Sequence, residues 1–361
     1  MGGQVLPAIL AGLLGVGLAL AGFAPFVALT YRRYGRLTVR RAVFSLGLLI
    51  YILGIWAYTL LPLPNPAEIR CSGTQLVPFY FLSDMTNYPL DSLGAWLRNP
   101  VVLQTGLNVV LFLPLGFLVR ALWGKGVGWT VLVGAALSLF VELTQLTGVW
   151  GLYPCAYRLF DVDDLISNTS GALLGALLAL AVPRRWLSVE RLAPGVGAPV
   201  TVGRRLVAML VDAVCYVVVA APVAIGAQLW QLFVLSRPVD ALDSALSSAL
   251  GFWVAVGLQA LSVAVSGRTL GDHATQLALA PARPAWLARR AVRFFAGIGG
   301  FQLLALLPDP FSALQGAFAL AALVAVVVAR RARSLPGAIS RQALVDVRAQ
   351  DTAEAVPAHL Q

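Results

Sequence analysis

Apolar runs long enough to cross a bilayer recur along the whole chain, separated by short polar connections that carry most of its arginines. The runs fall at about residues 5–30, 42–63, 101–123, 127–148, 163–182, 206–233, 246–266, 294–308 and 311–329. At 1.5 Å of rise per residue, about 20 apolar residues cover a hydrocarbon core of ~30 Å, so each run predicts a membrane span. The expected fold class is therefore all-α, a polytopic integral membrane protein with nine spans in two bundles. The first run lacks a basic stretch before it and reads as a retained helix rather than a cleaved signal. Pro62 and Pro64 close the second, and residues 65–99 form the longest hydrophilic connection. The boundaries expected are a membrane domain over 1–185, a cytoplasmic linker over 186–203, a second membrane domain over 204–333, and a disordered cytoplasmic tail over 334–361.

Composition agrees with this reading. The chain is 59% hydrophobic and only 12% charged, against about half and about a quarter in soluble domains. A net charge of +10 could point to nucleic acid, but the distribution of the basic residues assigns it to topology. Of 26 lysines and arginines, 22 lie in alternate connections, at 31–42, 120–126, 183–205, 267–293 and 330–348. The intervening connections hold only Arg70, Arg98, Arg158 and Arg237. Basic residues resist translocation, so this alternation predicts an external N-terminus and a cytoplasmic C-terminus in a cell membrane. Two histidines and three separated cysteines exclude an ordinary His/Cys zinc site.

Candidate chemistry stands out as polarity in greasy surroundings. Asn108, Glu142, Gln145, Arg158, Asp161, Asp163, Asp164 and Asn168 sit within or beside apolar runs, where an unpartnered polar group is costly. Ser138, Glu142 and Gln145 share one helical face, and Asp161, Asp164 or Asn168, and Gly171 share another. Gly171 and Gly175 form a G-x-x-x-G that admits a neighbouring backbone. Pro114 and Gly116 predict a kink that opens space beside them. The ligand-binding set expected is Asn108, Glu142, Gln145, Arg158, Asp161, Asp164 and Asn168; no catalytic residue is identified. Plainer roles compete: interhelical packing for the group, and helix capping for the aspartates. Cys71 and Cys155 share the outer side, as a disulfide or as two unrelated thiols, while Cys215 reads as a packed apolar residue. In the second domain Arg205 and Asp212 share a face two turns apart, and an arginine from 288–293 is the partner expected for Asp212.

N-V-V-L-F-L-P-L-G-F from Asn108, the E-L-T-Q at Glu142, and R-L-F-D-V-D-D-L-I-S-N-T-S-G-A-L-L-G from Arg158 resemble the VanZ-like family of teicoplanin-resistance membrane proteins. Q-L-V-P-F at Gln75 fits the loop that precedes this block, and the resemblance covers about residues 40–185. On that pattern Asn108, Pro114, Gly116, Glu142, Gln145, Asp161, Asp164, Asn168, Thr169 and Gly171 occupy motif positions. Arg204-Arg205 with Asp212, then G-R-T-L-G-D-H-A-T-Q-L from Gly267 and A-R-R-A-V-R from Ala288, resemble an RDD domain over about 200–335.

The first resemblance implies a role at the cell envelope, in tolerance of lipoglycopeptide antibiotics. The reading expected is an outer-leaflet site for membrane lipids, a lipid-linked wall precursor or a lipoglycopeptide, with no cofactor and no nucleic acid. Two others compete: a membrane-embedded enzyme using Mg²⁺ on Asp161 and Asp164 against a prenyl-phosphate substrate, and an ion- or proton-linked transporter.

Overall fold

The computed structural model describes residues 5–60, 69–183, 192–193, 196–280, 286–328 and 334–349, with the side chains of 5–14 and 57–60 left aside. Residues 1–4, the closing prolines Pro62 and Pro64, Arg184 and Arg185, the arginine run 330–333 and the tail from 350 lie outside the described residues.

The chain is mostly helical. Helices α1 (Val5–Tyr34), α2 (Val39–Leu60), α3 (Pro100–Trp123), α4 (Val127–Leu146), α5 (Val162–Ala181), α6 (Val202–Phe233) and α7 (Ser244–Ser266) follow the first seven expected runs. Among the described residues six helices are long and apolar enough to cross a membrane, namely all of these except α5. The nine-span count is therefore not reproduced among the described residues. α5 has the length, but its first half carries Asp163, Asp164, Ser167, Asn168, Thr169 and Ser170. The eighth run is reduced to a short helix over Ile298–Leu304 after Gly297, and the ninth is a helix over Ala313–Val328 that follows the Pro308–Pro310 turn and reaches the edge of the described residues. Beyond α7 come α8 (Leu270–Thr275), α9 (Trp286–Phe295), α10 (Ile298–Leu304), α11 (Ala313–Val328) and α12 (Leu335–Ile339).

Two compact units divide the chain: residues 1–16 with 38–189, and residues 17–37 with 190–361. The division differs from the linear one expected, since the second half of α1 belongs to the later unit.

In the first unit a core of Leu48, Ile55, Phe112, Leu115, Val119, Leu122 and Val141 joins α2, α3 and α4. α5 enters this packing with a face of Gly171, Ala172, Gly175, Ala176 and Ala179, all buried. A Cβ on Gly171 would overlap the carbonyl of Val109, and one on Gly175 the carbonyl of Leu113. Small residues thus bring two backbones together, the usual basis of helix association where lipid removes the hydrophobic drive. Gly116 opens no space: the carbonyl of Ala172 fills the room its missing side chain leaves. Arg41 donates to the carbonyl of Leu122 at 3.3 Å, placing a cation at the C-terminus of α3. Two short strands, β1 (Thr74–Gln75) and β2 (Phe160–Asp161), pair in parallel, with Gln75 opposite Asp161.

In the second unit α6 and α7 pack closely, with Gly251 against the carbonyl of Ala220. Strands β3 (Leu277–Leu279) and β4 (Leu344–Asp346) pair antiparallel. The disordered tail expected from residue 334 is corrected here, because residues 334–349 form α12 and β4. The reason is an arginine. Arg204, 2% exposed, donates from Nε to Thr275 O at 2.8 Å and from its two terminal nitrogens to Ala198 O and Gln276 O, both at 3.0 Å. It completes its set with Asp346 at 2.7 Å. Arg348 adds a second guanidinium to the same carboxylate. Burial alone would raise the Asp346 carboxyl, but hydrogen bonds from Arg348, Arg204 and the Ala198 amide hold it down at about 2. The described part of the expected linker is tied into the same knot, through Ala198 N on Asp346 at 3.1 Å.

Candidate functional site

The candidate site is assembled where the connection after α2 meets the start of α5. A disulfide joins Cys71 to Cys155, and Ser72 N donates to Ala156 O at 2.8 Å. With the β1–β2 pairing, these fasten residues 71–75 along 155–161.

Asp161 then begins α5 as its N-cap, accepting from Asp163 N at 2.9 Å, and Asp163 and Asp164 fill the first turn. Carboxylates there complement the partial positive charge of a helix N-terminus. The capping role weighed from the sequence therefore applies to Asp161. Each aspartate nonetheless has its own task. Asp163, 5% exposed, accepts the amides of Phe79 at 2.6 Å and Phe81 at 2.8 Å. Phe79 lies in the left-handed region, with φ of 63°. Asp164 accepts from Asn108 Nδ2 at 2.6 Å and from the side chain of Gln104. Asp161 meets Gln75 Nε2 at 3.5 Å, the outer limit of a hydrogen bond, and its burial raises its carboxyl above the ordinary aspartate range.

Glu142 lies beneath them on α4. It is 3% exposed and accepts the Asp161 amide at 3.1 Å. Arg158 is exposed and within electrostatic range of both Glu142 and Asp164. Asn168, deeper along α5, donates to Ser138 Oγ at 3.0 Å, and its own carbonyl oxygen is buried with no partner among the described residues. Gln145 is buried on α4, almost one turn from Glu142.

Asn108, Glu142, Arg158, Asp161 and Asp164 thus come together, with Asn168 and Ser138 as a second pair below. Sequence reasoning did not place Gln104, Gln75 or the Phe79 and Phe81 amides. Gln104 stands four residues before Asn108, a helical-face spacing that carries a signal. Backbone amides carry none. Among the described residues no group of three or more His, Cys, Asp or Glu has an arrangement that could hold a metal ion; Asp161 and Asp164 turn toward protein donors instead.

In the second unit Asp212 is buried and accepts the Gly271 amide at 2.7 Å. The arginine expected beside it is Arg293, which attracts Asp212 but makes its ion pair with Asp272. Asp272 lies within the α8 capping box, next to the Gly271 amide that takes Asp212. Arg205 is buried near the start of α6, and Cys215 is a half-buried free thiol.

Neither the curated proteins nor the solved structures contain a match to this chain. Residues 48–183, which hold every side chain of the first cluster, match the VanZ/LLP1 family.

Proposed function

We propose that the first unit binds the head of a membrane amphiphile at the external face of a cell membrane, and that this binding supports envelope tolerance of glycopeptide-type antibiotics. The observation that carries the reading is the grouping of Glu142, Asp161 and Asp164, with Asn108 bonded to Asp164 and Arg158 as the nearby cation. Three carboxylates against one guanidinium favour a ligand that brings positive charge, such as an amine-bearing lipid or lipopeptide. Exposed leucines on α3 and α5, including Leu107, Leu173 and Leu177, offer apolar surface for its tail. The disulfide supports the external placement, since such bonds persist in oxidising compartments, and so does the alternation of basic connections. On this reading the lipid-linked wall precursor or the antibiotic itself is the natural occupant. The second unit would be an RDD-like partner whose Arg204, Arg205 and Asp212 motifs carry that likeness.

Native mass spectrometry of the full chain, released from nanodiscs, tests the proposal. Amine-bearing lipids are expected to remain bound to the wild type and to be lost from Asp164→Asn and Glu142→Gln. Identical lipid profiles in all three proteins would refute it.

A further inference from the structure

In the second unit the ends of two long helices enclose a pocket of about 610 Å³, within the ~300–1,000 Å³ usual for ligand sites. α1 contributes its last turn and the residues just after it, α6 its first turns, and the chain ahead of α6 the wall between them. Gly35, with φ of 65°, packs against Ala198, so both helix ends open on the same face. Leu37, Leu192, Val196 and Val207 supply the apolar part of the lining.

The charge at this pocket has one sign. Among the described residues Arg36 and Arg204 line it and no carboxylate does. Arg204 is fully engaged by three backbone carbonyls and Asp346. Arg348 stands behind Gly35, its Nη2 3.6 Å from where a Cβ would sit, and shares Asp346 with Arg204. Two guanidinium groups on one carboxylate leave a surplus positive charge beneath the pocket, and Arg36 adds another. Arg36 is exposed and enters no hydrogen bond or ion pair among the described residues. Glu190 and Arg191, just before Leu192, lie outside the described residues and offset each other in charge. Thr201, also exposed, accepts the Arg204 amide at 3.2 Å and keeps its own O–H to donate. Gly203 faces open space, with nothing within 4 Å of a Cβ placed on it.

We propose that this pocket holds the phosphate of an anionic phospholipid from the cytoplasmic leaflet, with Arg36 and Thr201 donating to its oxygens and its first tail carbons against Leu37, Leu192 and Val207. A soluble phosphate ester shares the head chemistry. The lipid is favoured because α1 and α6 are both long and apolar enough to span, which puts their ends at headgroup depth. The connections at 31–42 and 183–205 are among the basic ones assigned to the cytoplasmic side, where the leaflet carries anionic lipid. A lipid amine would meet only cations here. The site selects the opposite charge to the one proposed for the first unit, so the two readings fail separately.

The test uses the full chain in phosphatidylcholine nanodiscs containing a minority of phosphatidylglycerol, read by native mass spectrometry. The wild type is expected to retain phosphatidylglycerol over phosphatidylcholine. Arg36→Gln should lower that retention about tenfold, the loss of one hydrogen bond to a charged acceptor, and Gly203→Phe should lower it as far by filling the pocket. Both positions are exposed, so packing is spared. Arg33→Gln removes the same charge from the end of α1 without lining the pocket, and a screened surface charge should change retention by about twofold at most. Glycerol phosphate in millimolar excess should not displace the lipid. No preference in the wild type, unchanged retention in Arg36→Gln or Gly203→Phe, or an equal loss in Arg33→Gln would each overturn the proposal, the last leaving a diffuse surface field only. Displacement by glycerol phosphate would overturn the lipid assignment and make this a site for a soluble phosphate ester.

Discussion

Replacing Asp163 with asparagine isolates what holds the 77–81 loop to the start of α5. The aspartate accepts two backbone amides, at 2.6 and 2.8 Å. Hydrogen bonds to a charged acceptor are worth about 1.5–3 kcal/mol each. Opposing them is the left-handed backbone of Phe79, which costs about 1–2 kcal/mol for a residue with a Cβ. Both bonds together outweigh that cost comfortably, whereas one bond to a neutral acceptor, worth about 0.5–1.5 kcal/mol, barely matches it. Asparagine keeps a single good acceptor and turns an NH₂ toward an amide N–H, so it loses about 2 kcal/mol locally. At about 1.4 kcal/mol per factor of ten, protection of the Phe79 and Phe81 amides should fall about 30-fold in hydrogen–deuterium exchange. Helix protection in α3 and α4 should hold. Adding Phe79→Gly removes the backbone cost and should restore part of the protection. Unchanged exchange at Phe79 and Phe81 in Asp163→Asn would show that the disulfide and the short strands alone hold the loop.

Gly175→Leu should separate α3 from α5, because even a Cβ there meets the Leu113 carbonyl; overpacking of this kind costs about 1–3 kcal/mol, and an unaltered unfolding midpoint in detergent would contradict the packing. The Cys71–Cys155 bond closes a separation of 84 residues, for which chain entropy gives about 4.5 kcal/mol, an upper bound in a bilayer where the unfolded chain is already confined. Cys71→Ser should therefore lower the unfolding midpoint and speed proteolysis of the 71–81 loop, and equal proteolysis with and without reductant would count against it. Asp346 has its carboxyl depressed to about 2, so its contribution to folding is complete above the unfolded pKa of about 3.9. It is lost as pH falls through 2. Protease resistance of the 334–349 segment should follow that acid limb, whereas Asp346→Asn should be sensitive already at pH 7.

The long helices are readable because an apolar run has one physical meaning at that length, and their ends agree with the runs to within a few residues. The cluster is readable for a similar reason, since Asn108, Glu142 and Asp164 have no cause to stand among leucines except to find one another. The task of Asp163 escapes the sequence because its partners are backbone amides, identical at every residue. The surroundings of Asp212 are half legible: Arg293 attracts it, but its hydrogen bonds go to Asp272, held in the capping box of α8. The tail misleads most: 334–349 reads as a polar, disordered segment, and Asp346 has a reason to be buried only once Arg204, 142 residues away, joins Arg348 and the Ala198 amide on it.

That last pairing has a consequence for biosynthesis. Arg204 stands at the head of α6, yet a carboxylate that neutralises it belongs to residue 346, made after every long helix. Through most of translation the guanidinium is without its anion and β3 without its neighbour. A stop codon placed before residue 344 would release a chain with all its long helices and an unfinished second unit, the kind of product that quality-control proteases recognise.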